Sequence, residues 1–129
     1  MTQHVTVSLR IFSPELDPES VTRLLNLTPN RSHRLGDHIG GKSNRPTYKH
    51  GMWSISSALP PEASLEDQLN DLLALIESKL PEIRQLSASS TVDFSCGVMD
   101  VIGFQLSPNT LARLTNFGVP FGVSIYCIE

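Results

Sequence analysis

The sequence predicts an α+β domain: a mainly antiparallel sheet of five to six strands with three helices packed on one face, ferredoxin-like or a duplicated relative. Three observations lead there. Period-two alternation of apolar and polar residues marks strands near both ends and in the middle of the chain. Between them stand capped, proline-led helices with apolar residues at i, i+3, i+4 spacing. The resulting order, β-α-(β)-β-α-β-β-α-β, mixes hairpins with helices instead of repeating βαβ units, which favours α+β. At 129 residues, 40% hydrophobic and 18% charged, the chain reads as one domain over 1–129. A chain of that size buries about two-thirds of its unfolded surface without needing disulfides or metal.

In residues 4–12, Val5, Val7, Leu9 and Ile11 point one way and Thr6, Ser8 and Arg10 the other, a strand with one buried face. Ser13-Pro14-Glu15-Leu16 turns the chain. Asp17 then caps a helix with Pro18 at its first position and Glu19 at the positive end of the dipole. Val21, Leu24 and Leu25 form its stripe, and Thr28-Pro29 ends it. After a loop of about twenty residues, a length that usually marks a functional loop, a disordered one or an unrecognised element, Met52–Ser56 reads as a strand with Trp53 and Ile55 facing the core. Arg31–Leu35 is a short strand that can pair back onto it. Ser64 caps the longest helix, with its stripe from Leu65 to Leu80 and a kink or restart at Pro81. Val92, Phe94, Cys96 and Val98 give the next strand, which Asp100 can turn into Ile102–Leu106 as a hairpin. Ser107-Pro108 starts the last helix, and Gly118 closes it as a left-handed cap. Pro120 to Ile128, uncharged and apolar on one face, reads as a central, well-covered strand. Asp17–Leu27 also aligns without gaps on Ser107–Phe117, an internal echo that two related β-α units would produce.

The charge is unevenly placed. Thr28 to Trp53 holds 5 of the 10 Lys and Arg residues (Arg31, Arg34, Lys42, Arg45, Lys49) with a single acid, Asp37. Five cations against one acid give this segment +4 in a chain of −3, so the remainder sums to −7. With Gly36, Gly40 and Gly41 it is a basic, glycine-containing loop on an acidic body. The stem is expected in Arg31–Asp37 and Gly51–Trp53, with His38–His50 as a mobile tip.

Leu9-Arg-Ile-Phe, Leu16-Asp-Pro-Glu, Leu24-Leu-Asn-Leu-Thr-Pro, Arg31-Ser-His-Arg-Leu-Gly-Asp and Gly51-Met-Trp-Ser-Ile-Ser, with the late Phe104-Gln-Leu-Ser-Pro and Ile125-Tyr-Cys, form a pattern. It resembles the bacterial family catalogued as domain of unknown function 4279, over roughly Val5 to Cys127. The resemblance implies a small single-domain protein without an assigned activity, and it supplies no catalytic residues.

Dedicated chemistry is thin. His33, His38 and His50 do not match a common zinc spacing. There is no Gly-x-Ser-x-Gly elbow, no Gly-x-x-x-x-Gly-Lys-Ser/Thr and no Gly-x-Gly-x-x-Gly. Cys96 and Cys127 sit among apolar residues of strands, where cysteine acts as a small hydrophobe. No apolar run approaches the roughly 20 residues that span a bilayer, so a reduced, cytoplasmic protein is expected without cofactor or metal. A pI near 5.8 disfavours nucleic acid, although Tyr48 and His50 could stack on bases. The expectation is a non-enzymatic protein-binding module of inhibitor or immunity type, with a protein partner or a homodimer. The alternative is a binder of phosphate-containing ligands or nucleic acid through the 31–50 loop. Candidate binding residues are Arg31, Arg34, Asp37, Lys42, Arg45, Lys49 and Trp53. Trp53 is there as a possible groove wall beside Arg34, its other role being a core anchor.

Overall fold

The computed structural model describes residues 4–99 and 103–126. Strand β1, His4–Ser13, buries Val5, Val7, Leu9 and Ile11 and turns its alternate residues outward. Its length lets it pair on both edges. Antiparallel β3, Gly51–Ser56, runs along one side from Ser8↔Ser56 to Ser13↔Gly51, and antiparallel β4, Thr91–Met99, along the other from His4↔Met99 to Phe12↔Thr91. Short β2, Arg31–His33, pairs antiparallel outside β3, and β5, Phe121–Tyr126, pairs parallel outside β4. The order is β2-β3-β1-β4-β5. The first four strands, taken with their helices, form a βαββαβ unit that is compatible with a ferredoxin-like arrangement.

Helix α1, Pro18–Leu25, starts where the Asp17 carboxylate accepts from the Glu19 N–H (3.2 Å) and the Ser20 hydroxyl (2.8 Å). It ends where Asn26, at φ 54°, donates its N–H to the Thr22 carbonyl. Helix α2, Leu65–Ile76, is capped by Ser64, whose hydroxyl accepts from Asp67 N–H at 3.1 Å. The restart expected at Pro81 takes the form of a 3₁₀ turn over Glu77–Lys79, followed by α3, Leu80–Ser87. Helix α4, Pro108–Phe117, is capped by Ser107 and closed by Gly118 at φ 65°. It carries the chain from β4 to β5, outside the βαββαβ unit to which α1 belongs; what the two helices share in structure is an N-cap side chain followed by proline.

The core lies between the sheet and these helices. Leu69, Leu72, Leu73 and Ile76 of α2, Ile83 of α3 and Phe117 of α4 meet the buried residues of β1, β3 and β4, and Phe94 packs edge-on against Phe117. Gln68 is buried in this layer because its amide donates to the Val5 carbonyl at 2.8 Å.

Two expectations fail at the C-terminal side. Gly103–Leu106 form no strand; the turn expected at Asp100 lies outside the described residues. And β5 is an edge strand rather than a covered central one. Its lack of charge suggested burial on both sides, yet Ile125 is 65% exposed and Tyr126 55%.

Candidate functional site

Helices α1 to α4 take one face of the sheet, and among the described residues no helix covers the other. Period two decides what it displays: Thr6, Ser8, Arg10 and Phe12 from β1, Met52 and Ser54 from β3, Asp93 and Ser95 from β4, and Arg31 and His33 from β2. At its centre is a trough of about 420 Å³, floored by hydroxyl side chains (Thr6, Ser8, Ser54, Ser95) and rimmed by Arg10, Arg31 and a group of rings.

The rings form a row. Tyr48 lies flat on His33 with centroids 3.4 Å apart and planes within 7°. His33 meets His50 edge-on at 5.6 Å, and His50 leans on Phe12 at 5.5 Å. The Arg10 guanidinium stands 5.5 Å from the Phe12 ring. It also makes a two-pronged pair with Asp93, at 2.9 and 2.7 Å. Burial, reinforced by neighbouring His50, lowers the His33 pKa and so favours the neutral ring against Tyr48. Its Nε2 is buried without a hydrogen-bond partner.

The basic loop is an arm with its own ladder. Gly36 N–H donates to the Tyr48 carbonyl (3.0 Å), Tyr48 N–H to the Asp37 carbonyl (2.8 Å) and Ile39 N–H to the Pro46 carbonyl (2.9 Å); His38 and Thr47 bridge between them. His38 Nδ1 lies 2.9 Å from the Arg45 carbonyl. Gly40 and Gly41, at φ 69° and 72°, reverse the chain in a conformation that side-chain-bearing residues resist. The segment expected as a loose tip is therefore hydrogen-bonded along much of its length. A second cleft of about 440 Å³ opens between arm and sheet, lined by Ser32, His33, Asp37, His38 and Tyr48.

The candidate residues separate accordingly. Arg31 is exposed at the trough rim, with no ion-pair partner among the described residues. Lys42, Arg45 and Lys49 are exposed on the arm. Arg34 instead bonds Asp17 at 2.8 Å and Glu19 at 3.1 Å, fastening the arm's base to the start of α1. Asp37 pins the same base, its carboxylate accepting from the Arg34 N–H at 2.8 Å, rather than pairing with the guanidinium. Trp53 does not line a groove. It is fully buried on the helix side, where its indole N–H donates to the Thr22 hydroxyl at 3.0 Å. Period two explains this, since Met52 and Ser54 on either side take the open face.

The sequence reading missed the trough. Thr6, Ser8 and Arg10 were legible as a polar strand face, but only the pairing of β1 with β3 and β4 brings Ser54 and Ser95 beside them. Charge is divided by layer. Asp17, Glu19, Glu66, Asp67, Asp71 and Glu77 cap or ride on helices. The open face and arm carry only Asp37 and Asp93 among the described residues, one engaged with the loop backbone and the other with Arg10. Cys96 lies in the core, its thiol pushed up to about 12 by burial, so it is not a ready nucleophile; Cys127 lies outside the described residues. Among the described residues no three His, Cys, Asp or Glu side chains converge as a metal site, and no helix is long and apolar enough to cross a membrane.

No curated protein and no solved structure matches the chain. A family model does match, over residues 2–128, and by that match the chain belongs to the family described as domain of unknown function (DUF4279).

Proposed function

We propose that this chain is a non-enzymatic protein-binding module of inhibitor or immunity type, acting in the bacterial cytoplasm. Its contact surface is the arm together with the open sheet face, and its partner offers an acidic patch. The observation that carries this reading is the division of charge between layers. Exposed Arg31, Lys42, Arg45 and Lys49 lie on the sheet side without ion-pair partners among the described residues, while the acids lie with the helices. Such a surface steers an oppositely charged partner and fixes its register. Tyr48, Met52, Arg10 and Arg31 at the rim are the residue types that anchor interfaces.

The test is affinity capture by the intact chain, then calorimetric titration of the captured protein against Arg31→Glu/Arg45→Glu. A loss of tenfold or more is expected, with a weaker complex at high salt. Unchanged affinity in the charge-reversed chain would refute the assignment. A second reading has its own support: Arg31 stands beside a hydroxyl-floored trough that suits a phosphate group. In that case nucleotides or polyphosphate raise the melting temperature of the unmodified chain and not of Arg31→Ala.

A further inference from the structure

We infer that the outer edge of β5 is a dimerisation surface, pairing antiparallel with β5 of a second copy about a twofold axis at Val123. This goes beyond the arm and the open face and does not depend on them. It starts from a conflict: 121–126 has the composition of a covered strand but lies at the sheet's edge.

The ladder tells which backbone groups of β5 are unused among the described residues. Phe94 is the partner of Phe121, and the Phe94 N–H donates to the Pro120 carbonyl at 2.9 Å. In a parallel ladder the even-numbered residues of β5 then turn their N–H and C=O toward β4. Phe121, Val123 and Ile125 turn theirs outward. An edge row of this kind is ordinarily protected by a charge, a proline, a bulge or a covering element. Residues 121–126 contain no charge and no proline.

The strand is complementary to itself. Antiparallel pairing about Val123 sets Val123 opposite Val123, and Phe121 opposite Ile125 at each end. Each outward residue gives one N–H and receives one. The side chains brought together are an aromatic against a β-branched residue, a valine pair, and the aromatic pair again, combinations that stabilise cross-strand contacts. All three share the helix-side face, since their partners on β4 are the buried Phe94, Cys96 and Val98. Gly122 and Ser124 meet on the other face without steric or charge conflict.

Arg113 of α4 reaches α2, bonding Glu77 and Asn70. Leu111, about 200° round the helix from Arg113 at 3.6 residues per turn, is on the flank away from α2 and is 49% exposed. Ile125 supplies apolar surface on the edge strand, and Leu111 leaves more of it exposed on α4. Residues 121–126 bring no charge of their own to that edge, so nothing in the strand selects a charged foreign partner. The strand's self-matching is what a twofold interface requires.

The test uses the intact chain, by sedimentation velocity over a wide concentration range and by amide hydrogen exchange. A dimer is expected, with the outward amides of Val123 and Ile125 protected at high concentration and exchanging fast on dilution. Ile125→Lys, at a position too exposed to disturb the monomer core, is expected to give monomer with an unchanged near-ultraviolet Trp53 signal. A chain monomeric at every concentration with fast exchange at those amides would overturn the inference. So would a dimer that Ile125→Lys leaves intact, or an assembly that grows past two.

Discussion

Replacing Trp53 with alanine tests the placement of the core most directly. The side chain is fully buried and heads the largest buried side chains of the described residues. A buried tryptophan removes about 150–250 Å² from water, which at about 25 cal/mol per Å² is roughly 4–6 kcal/mol. Part of that area is already hidden in the unfolded chain, so the figure is an upper bound. Truncations of buried Trp or Phe cost about 3–5 kcal/mol, and the lost bond to Thr22 adds about 1 kcal/mol. Against a total stability of about 5–15 kcal/mol, Trp53→Ala should leave a marginal fold. Trp53→Phe, which keeps most of the apolar volume, should lose about half as much, by the range for smaller core truncations. As this is the only tryptophan, guanidinium unfolding has to be followed by far-ultraviolet circular dichroism. A loss below about 1 kcal/mol, the scale of an ordinary surface change, would refute the buried placement.

Other perturbations follow from the same geometry. A Cβ added at Gly51 would lie 2.5 Å from the Leu16 carbonyl oxygen; Gly51→Ala should therefore cost about 1–3 kcal/mol as an overpacked contact, read as a shift in the denaturation midpoint. His33 has a folded pKa below the usual 6.5, so below that pH the unfolded chain takes up the proton first. Its contribution is complete above 6.5 and declines as the pH falls toward the folded value, and His33→Gln should flatten this part of a stability–pH profile. Glu77, held below its usual 4.5 chiefly by the Arg113 hydrogen bond, stabilises above that value, and the benefit disappears as the pH falls through its folded pKa. Replacing Ile39–Thr47 with a short turn should leave the melting temperature within a few degrees, because Arg34, Asp37 and Tyr48 still close the arm's base; unfolding of the trimmed chain would contradict that.

The strands and helices with strong local signals were legible in the sequence. Alternation in 4–12 and 91–99, and the caps at Asp17, Ser64 and Ser107, are short-range physics and appear as read. The trough was not legible, because Thr6, Ser8, Ser54 and Ser95 become neighbours only through pairings across 40 to 90 positions. Arg34 looked like a ligand-binding cation, and only the proximity of Asp17 and Glu19 shows its bridging role. The error at β5 has another origin. Hydrophobicity reports that a strand is covered without saying whether the cover comes from its own chain.

The position of β1 bears on how the chain is made. It precedes the other four described strands, yet it lies in the middle of the finished sheet, and His4 waits for Met99 to complete its ladder. A nascent chain must carry Val5, Val7, Leu9 and Ile11 with an unpaired edge until the 79 to 95 residues that separate β1 from its β4 partners have been added. At roughly 5–20 residues per second that is several seconds of vulnerability, and long-range pairing of this kind folds slowly once possible. Translation speed and chaperone supply should therefore govern its soluble yield more than the stability of the finished domain does.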